Sequence, residues 1–149
     1  MAEAARVFEL ERPIQEVWRV YSDFEVWSSW FDVNALIVSR LHRFQWLGAP
    51  GPGASIAVEV NGARGVEWLA KEWDPPLRYR VVGAHPGAAA FSFAATLTRQ
   101  TDVSTLVDLK LVLHPLGRLG RLWSSEFFAR WRLESMTAVA HRRLASVEA

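Results

Sequence analysis

Glu126 and Arg130 are the residues of this sequence whose types and spacing best suit acid/base chemistry. They stand four apart with the acid first, the favourable order for an ion pair along one helix face. The segment that carries them, residues 119–147, has helical periodicity. On a wheel turned by about 100° per residue, Leu119, Leu122, Trp123, Leu133, Thr137, Ala140 and Leu144 share one face, and Arg121, Ser124, Arg132, Ser135, Arg142 and Ser146 fall opposite. Glu126 and Arg130 project onto the apolar side. Drying two charges there costs several kcal/mol per ion, so a pair so placed suits the orientation of something polar better than it suits stability. The alternative is a wet edge of that face, where the pair is an ordinary surface contact worth under about 1 kcal/mol.

A catalytic acid or base must come within about 2.6 to 3.2 Å of the proton it moves, with its pKa displaced toward neutrality. Glu67, Arg64, Tyr79, His42 and His114 are further candidates by residue type. Tyr79 alternates with Arg78 and Arg80, so in a strand with the arginines outward its hydroxyl points inward and can anchor a ligand. His114, before Pro115, reads as a solvated residue of a sheet rim, and His141 as a satisfied histidine near a helix end. His42, His85, His114 and His141 lie far apart without a second ligand at metal spacing, so no metal site is expected.

Other chemistries lack their motifs. There is no Gly-x-Ser-x-Gly elbow and no dinucleotide glycine pattern following a strand. In Gly48-Ala49-Pro50-Gly51-Pro52-Gly53 both prolines lack an N–H and a strand-like run follows, which makes the stretch a turn and not a phosphate cradle. No cofactor is expected. Seventeen basic against sixteen acidic residues leave a net charge of +1, with no electrostatic footprint for nucleic acid. The absence of cysteine excludes disulfides and thiol catalysis. No apolar run approaches the roughly 18 residues of a membrane span, and Glu3, Arg6, Glu9 and Glu11 interrupt the stretch where a signal peptide needs an apolar core. The expectation is a soluble cytoplasmic protein.

The elements that must position these residues follow from periodicity. Residues 4–11 read as a strand in which Phe8 and Leu10 make the better buried pair. Pro13 suits the first turn of a helix, and Ile14, Val17, Trp18 and Tyr21 form its apolar stripe. Ser22-Asp23 ends that helix and caps a second short one, in which Phe24, Trp27 and Trp30 crowd together. Strands follow over 35–45, 54–60, 64–73, 77–83, 89–99 and 103–113, with a hairpin signal at Asn61-Gly62 and a turn at Asp74-Pro75-Pro76. Val107, Leu109, Leu111 and Leu113 oppose Asp108 and Lys110, and Phe91, Phe93, Ala95 and Leu97 oppose Ser92, Ala94, Thr96 and Thr98. That is the alternation of an antiparallel sheet with one face in water and the other needing cover. At 149 residues one domain, 1–149, is expected, burying about 68 to 70% of its unfolded surface. Eight Trp and eight Phe fit either a thick core or a cavity lined by rings.

Four stretches carry a family resemblance: Phe8-Glu9-Leu10-Glu11-Arg12-Pro13-Ile14-Gln15-Glu16-Val17-Trp18, Asp23-Phe24-Glu25-Val26-Trp27-Ser28-Ser29-Trp30, Glu72-Trp73-Asp74-Pro75-Pro76-Leu77-Arg78-Tyr79 and Leu116-Gly117-Arg118-Leu119-Gly120-Arg121-Leu122. Together they resemble the START-like, polyketide cyclase/dehydrase and lipid transport (SRPBCC) superfamily over essentially the whole chain. The resemblance implies an α+β helix-grip fold: a curved antiparallel sheet of about seven strands, two short helices after the first strand, and a long C-terminal helix across the concave face. It also implies a hydrophobic cavity for a lipid, a polyketide or another apolar molecule, and we place Trp30, Trp68, Tyr79, Phe91, Phe93, Trp123 and Phe127 on its wall. Three readings stay open. The protein is a binding or carrier module; or it is a cyclase, aromatase or dehydratase that uses Glu126 and Arg130; or it is a co-chaperone-like module presenting Phe128 and Trp131 to a protein. A homodimer is left open.

Overall fold

The computed structural model describes residues 2–23, 41–60, 63–85, 89–115 and 126–146. Its elements are β1 (Ala2–Leu10), α1 (Ile14–Tyr21), β2 (Leu41–Leu47), β3 (Ser55–Val60), β4 (Ala63–Asp74), β5 (Arg78–His85), β6 (Ala89–Thr101), β7 (Ser104–Pro115) and α2 (Glu126–Ser146). All seven strands form one sheet in the order β1-β7-β6-β5-β4-β3-β2, and every neighbouring pair is antiparallel. Strands β2 to β7 thus form a meander of hairpins, and β1 closes its far edge by pairing with β7, Ala2 opposite Leu113 and Phe8 opposite Val107.

Alternation decides which face is covered. Val107, Leu109, Leu111 and Leu113 of β7 are buried while Asp108 and Lys110 are exposed; Phe91, Phe93, Ala95 and Leu97 of β6 are buried as well. Each of these Val, Leu and Phe side chains contributes roughly 1.5 to 3 kcal/mol of burial relative to exposure. In β1 the inner pair is Phe8 and Leu10, packed against the core, and Val7 on the other face is 59% exposed.

One strand departs from simple alternation. In β4, Trp68 and Ala70 are buried, and period two would send Glu72 inward after them. The pairing with β5 instead shifts between Ala70 and Glu72, so Lys71 is an extra residue and the parity flips. Glu72 is left exposed, and Trp73 takes the inner face opposite Tyr79.

Helix α1 begins one residue later than expected: Pro13 is extended and stands at the cap position before Ile14, and its carbonyl accepts the N–H groups of Glu16 and Val17 at 3.1 and 3.2 Å. Ile14, Val17, Val20 and Tyr21 are its buried face. Its end is held by Ser22, whose N–H and hydroxyl both donate to the Trp18 carbonyl, at 2.9 and 2.6 Å. Among the described residues this is the one helix between β1 and β2. The second short helix expected on Phe24, Trp27 and Trp30, and the beginnings of the strand expected from 35 and of the helix expected from 119, fall outside the described residues. Helix α2 packs on β1, β7 and α1 through Ala129, Leu133, Met136, Thr137, Ala140 and Leu144. No helix among the described residues is long and apolar enough to cross a membrane.

Candidate functional site

The pairing registers lay the concave face out in rows across the sheet. Nearest α1, Trp73, Tyr79, Ala95 and Leu109 stand side by side on β4, β5, β6 and β7. The next row is Ala70, Val81, Phe93 and Leu111; the third sets Gly83 beside Phe91 and Leu113, with Trp68 of β4 lying over the glycine. Aromatic rings join these rows to α1 and β2. Trp18 of α1 meets Trp73 edge-on at 5.2 Å and Tyr79 at 5.6 Å between centroids, and Trp46 of β2 meets Trp73 at 4.7 Å. Tyr79 leads on to Phe93 at 5.9 Å, and Trp68 and Phe91 form an edge-to-face pair at 4.7 Å. Such geometries let each ring edge meet a neighbouring π face, which adds about 0.5 to 1.5 kcal/mol per pair beyond burial.

Trp68, Tyr79, Phe91 and Phe93 all face inward. Their exposures are 1, 1, 3 and 2%, so other side chains already cover them. Among the described rings that keep part of their surface, Trp18, Trp46 and Trp73 stand together. The polar hydrogens of this wall have protein partners: the Tyr79 hydroxyl donates to the Tyr21 carbonyl at 2.6 Å, and Trp68 Nε1 donates to the Ala84 carbonyl at 3.4 Å. The Tyr79 hydroxyl, expected as a ligand anchor, thus ties the sheet to the end of α1.

Trp18, Trp46 and Trp73 are the residues that sequence reasoning missed as wall residues. Trp18 was absorbed into the α1 stripe, and Trp73 reaches the inner face by way of the bulge, which alternation does not reveal. Trp46 stands two residues from the edge of the 48–53 turn, where the strand signal was fading.

The acid/base candidates are distributed differently. Arg130 is exposed, as the wet-edge alternative has it, and does not lie dry in the middle of the apolar face. The buried residues of α2 centre between Leu133 and Ala140, and Arg130 stands about 70° from that centre, on the flank it shares with exposed Glu134 and His141. Counting Leu119 and Trp123 had drawn the apolar face toward Arg130, whereas burial follows Ala129 and Met136 on the other side. Glu67 and His114 are exposed. Glu126, Phe127 and Phe128 lie in the first turn of α2, with side chains outside those described, as are those of Arg64 and His42; Trp30 and Trp123 lie outside the described residues altogether. Trp131 is partly buried. Among the described residues no three His, Asp or Glu side chains converge to hold a metal.

Two further features fasten the helices. Arg143 of α2 donates to Asp23, just past α1, at 2.6 Å. His141 stands edge-on to the Phe8 ring at 5.6 Å, with the Arg6 guanidinium 5.4 Å from the centre of the same ring. Burial first, and the Arg6 charge second, hold the His141 imidazole below its ordinary pKa. Burial pushes the Tyr21 phenol well above its ordinary value, opposed by Thr137 and Arg6. A groove of about 350 Å³ opens where the end of β1 meets the last turns of α2, lined by Leu10, Glu11, Arg12, His141, Leu144 and Ala145.

The sequence pattern described as "Polyketide cyclase / dehydrase and lipid transport" matches residues 1–147. The chain belongs to this polyketide cyclase/dehydrase and lipid transport family. Its fold is the helix grip of that family, and solved structures share it at low identity. A START superfamily protein from Mycobacterium smegmatis is 14% identical, with 99% of each chain covered and a TM-score of 0.68. A protein from Thermus thermophilus is 16% identical, again with 99% of each chain covered, at 0.66. Norcoclaurine synthase from Thalictrum flavum, solved in complex with dopamine and hydroxybenzaldehyde, is 12% identical; the match covers 99% of this chain and 87% of the synthase, at 0.60. No curated protein matches the sequence. In this member of the polyketide cyclase/dehydrase family, the concave face carries an aromatic wall in which the Tyr79 hydroxyl and the Trp68 indole N–H turn to backbone carbonyls.

Proposed function

We propose that the protein binds an apolar small molecule between the curved sheet and α2, against the partly buried rings of Trp18, Trp46 and Trp73. The observation that carries this reading is that ring cluster, which presents flat apolar surface from α1, β2 and β4 on the concave side of the sheet. Pockets for small molecules are characteristically lined this way, with few polar groups. Family membership supports the reading, and the ligand's class is a lipid, a polyketide or another aromatic metabolite. Native mass spectrometry of the protein after incubation with fatty acids, sterols and aromatic polyketides tests it. Retention of at least one ligand is expected, and retention of none across the panel contradicts the reading.

A cyclase or dehydratase is the second reading, favoured by the family and by the shared fold of norcoclaurine synthase. With Arg130 exposed, Glu126 is the acid/base group this reading depends on. Glu126→Gln then abolishes turnover of a cyclisable substrate while ligand affinity is kept. Loss of affinity and folding together contradicts it.

A further inference from the structure

Trp68 is the largest side chain of the concave face that is fully buried, and the chain makes specific room for it. A Cβ added at Gly83 would stand 2.3 Å from Trp68 Cδ1, 2.6 Å from Cγ and 2.9 Å from Nε1. The indole therefore lies flat on the bare backbone of β5, the way an aromatic ring covers a glycine on a neighbouring strand. Its Nε1 donates to the Ala84 carbonyl at 3.4 Å, it stands nearly perpendicular to the Phe91 ring, and Ile56 of β3 is its register partner. This row stands at the end of the sheet away from α1, close to where β5 ends at His85 and β7 at Pro115. The ring thus fills space on the concave face farther from α1 than Trp73, in the register row that runs through Ile56 to Trp46.

We propose that Trp68, seated on Gly83, is the specificity-determining residue of the ligand site: it occupies the volume into which a longer ligand would extend and restricts the protein to compact apolar molecules. The inference rests on the ligand-binding reading above. Replacing the indole by a methyl group leaves a space walled by Ile56 and Phe91 and floored by glycine, all without polar side-chain atoms. An apolar cavity of about 150 Å³ stays dry and accepts a ring the size of benzene. Substitution at Gly83 acts in the opposite direction, since an added methyl pushes the indole off β5 and against the side chains that cover it.

The test uses the full chain as wild type, Trp68→Ala, Trp68→Leu and Gly83→Ala, each first checked for folding by circular dichroism. Straight-chain fatty acids of graded length, from hexanoate to palmitate, and indole are the probes, with binding read by native mass spectrometry and calorimetry. Trp68→Ala should retain longer acids than wild type, with an affinity gain of about tenfold or more for the longest, and should bind indole. Trp68→Leu should fall between the two and stands in if the alanine variant does not fold. Gly83→Ala should shorten the longest acid retained. The same length limit in wild type and both Trp68 variants overturns the proposal. If wild type retains nothing and a Trp68 variant does, the indole fills the site and the ligand-binding reading of the wild-type protein fails; if no variant retains anything, both fail.

Discussion

Gly83→Ala is the substitution whose effect the geometry defines most narrowly. The new methyl would stand 2.3 Å from Trp68 Cδ1, against 3.4 Å at the near limit of ordinary contact, so the indole must retreat by about 1 Å. Trp68 is 1% exposed and packed edge-on to Phe91, so the retreat presses on a filled core. Overpacking of this kind costs about 1 to 3 kcal/mol. For a chain of this length each kcal/mol shifts the melting temperature by about 2 to 4 °C, which predicts a fall of about 2 to 12 °C. Trp68→Ala alone costs about 3 to 5 kcal/mol through the cavity it leaves. With the indole gone the Cβ at 83 meets no ring, and Gly83→Ala becomes neutral, or stabilising by about 0.4 to 1 kcal/mol through the unfolded chain. Urea unfolding of the four proteins of this cycle, followed by far-ultraviolet circular dichroism, reads the coupling. Additivity within about 0.5 kcal/mol would show that the two residues do not meet and would refute the reasoning.

Three further outcomes follow from the same contacts. Tyr79→Phe removes the hydrogen bond to the buried Tyr21 carbonyl and should cost about 1 kcal/mol in urea unfolding, with the loss seated at α1; an unchanged midpoint would show that the 2.6 Å hydrogen bond is absent in solution. The His141 imidazole has its pKa lowered by folding, so the unfolded chain takes up its proton first as pH falls. Stability should therefore decline as pH drops below the ordinary histidine value of 6.5 toward the lower folded value, and His141→Phe should flatten that slope in melts run across this window. The Arg143–Asp23 pair is about one-third exposed on each side, so Arg143→Ala should cost no more than about 1 kcal/mol, and the difference should shrink in high salt.

The sheet was legible in the sequence because its strands alternate: Val107 to Leu113 and Phe91 to Leu97 each expose one residue class to water and the other to the core. The α1 helix was legible from Pro13 and one apolar stripe. What alternation could not show was the extra residue in β4, since a bulge is a property of pairing between strands and Lys71 carries no local mark of it. Trp73 was therefore left out of the expected wall. The choice between a dry and a wet Arg130 was not legible for a related reason: a wheel that includes positions 119 and 123 centres the apolar face nearer Arg130 than the burial of Ala129 and Met136 does. Trp68, Tyr79, Phe91 and Phe93 are all buried, and their close packing depends on partners that are distant in sequence.

The central claim is that an apolar ligand lies on the concave side of the sheet against Trp18, Trp46 and Trp73. Isotope-filtered nuclear Overhauser spectra of the labelled protein with an unlabelled ligand retained in native mass spectrometry test it most directly. The account predicts cross-peaks from the ligand to the indole protons of those three residues and none to Thr96 or Asp108 on the outer face. Cross-peaks confined to the outer face, or to the groove beside Leu144 and Ala145, would contradict it.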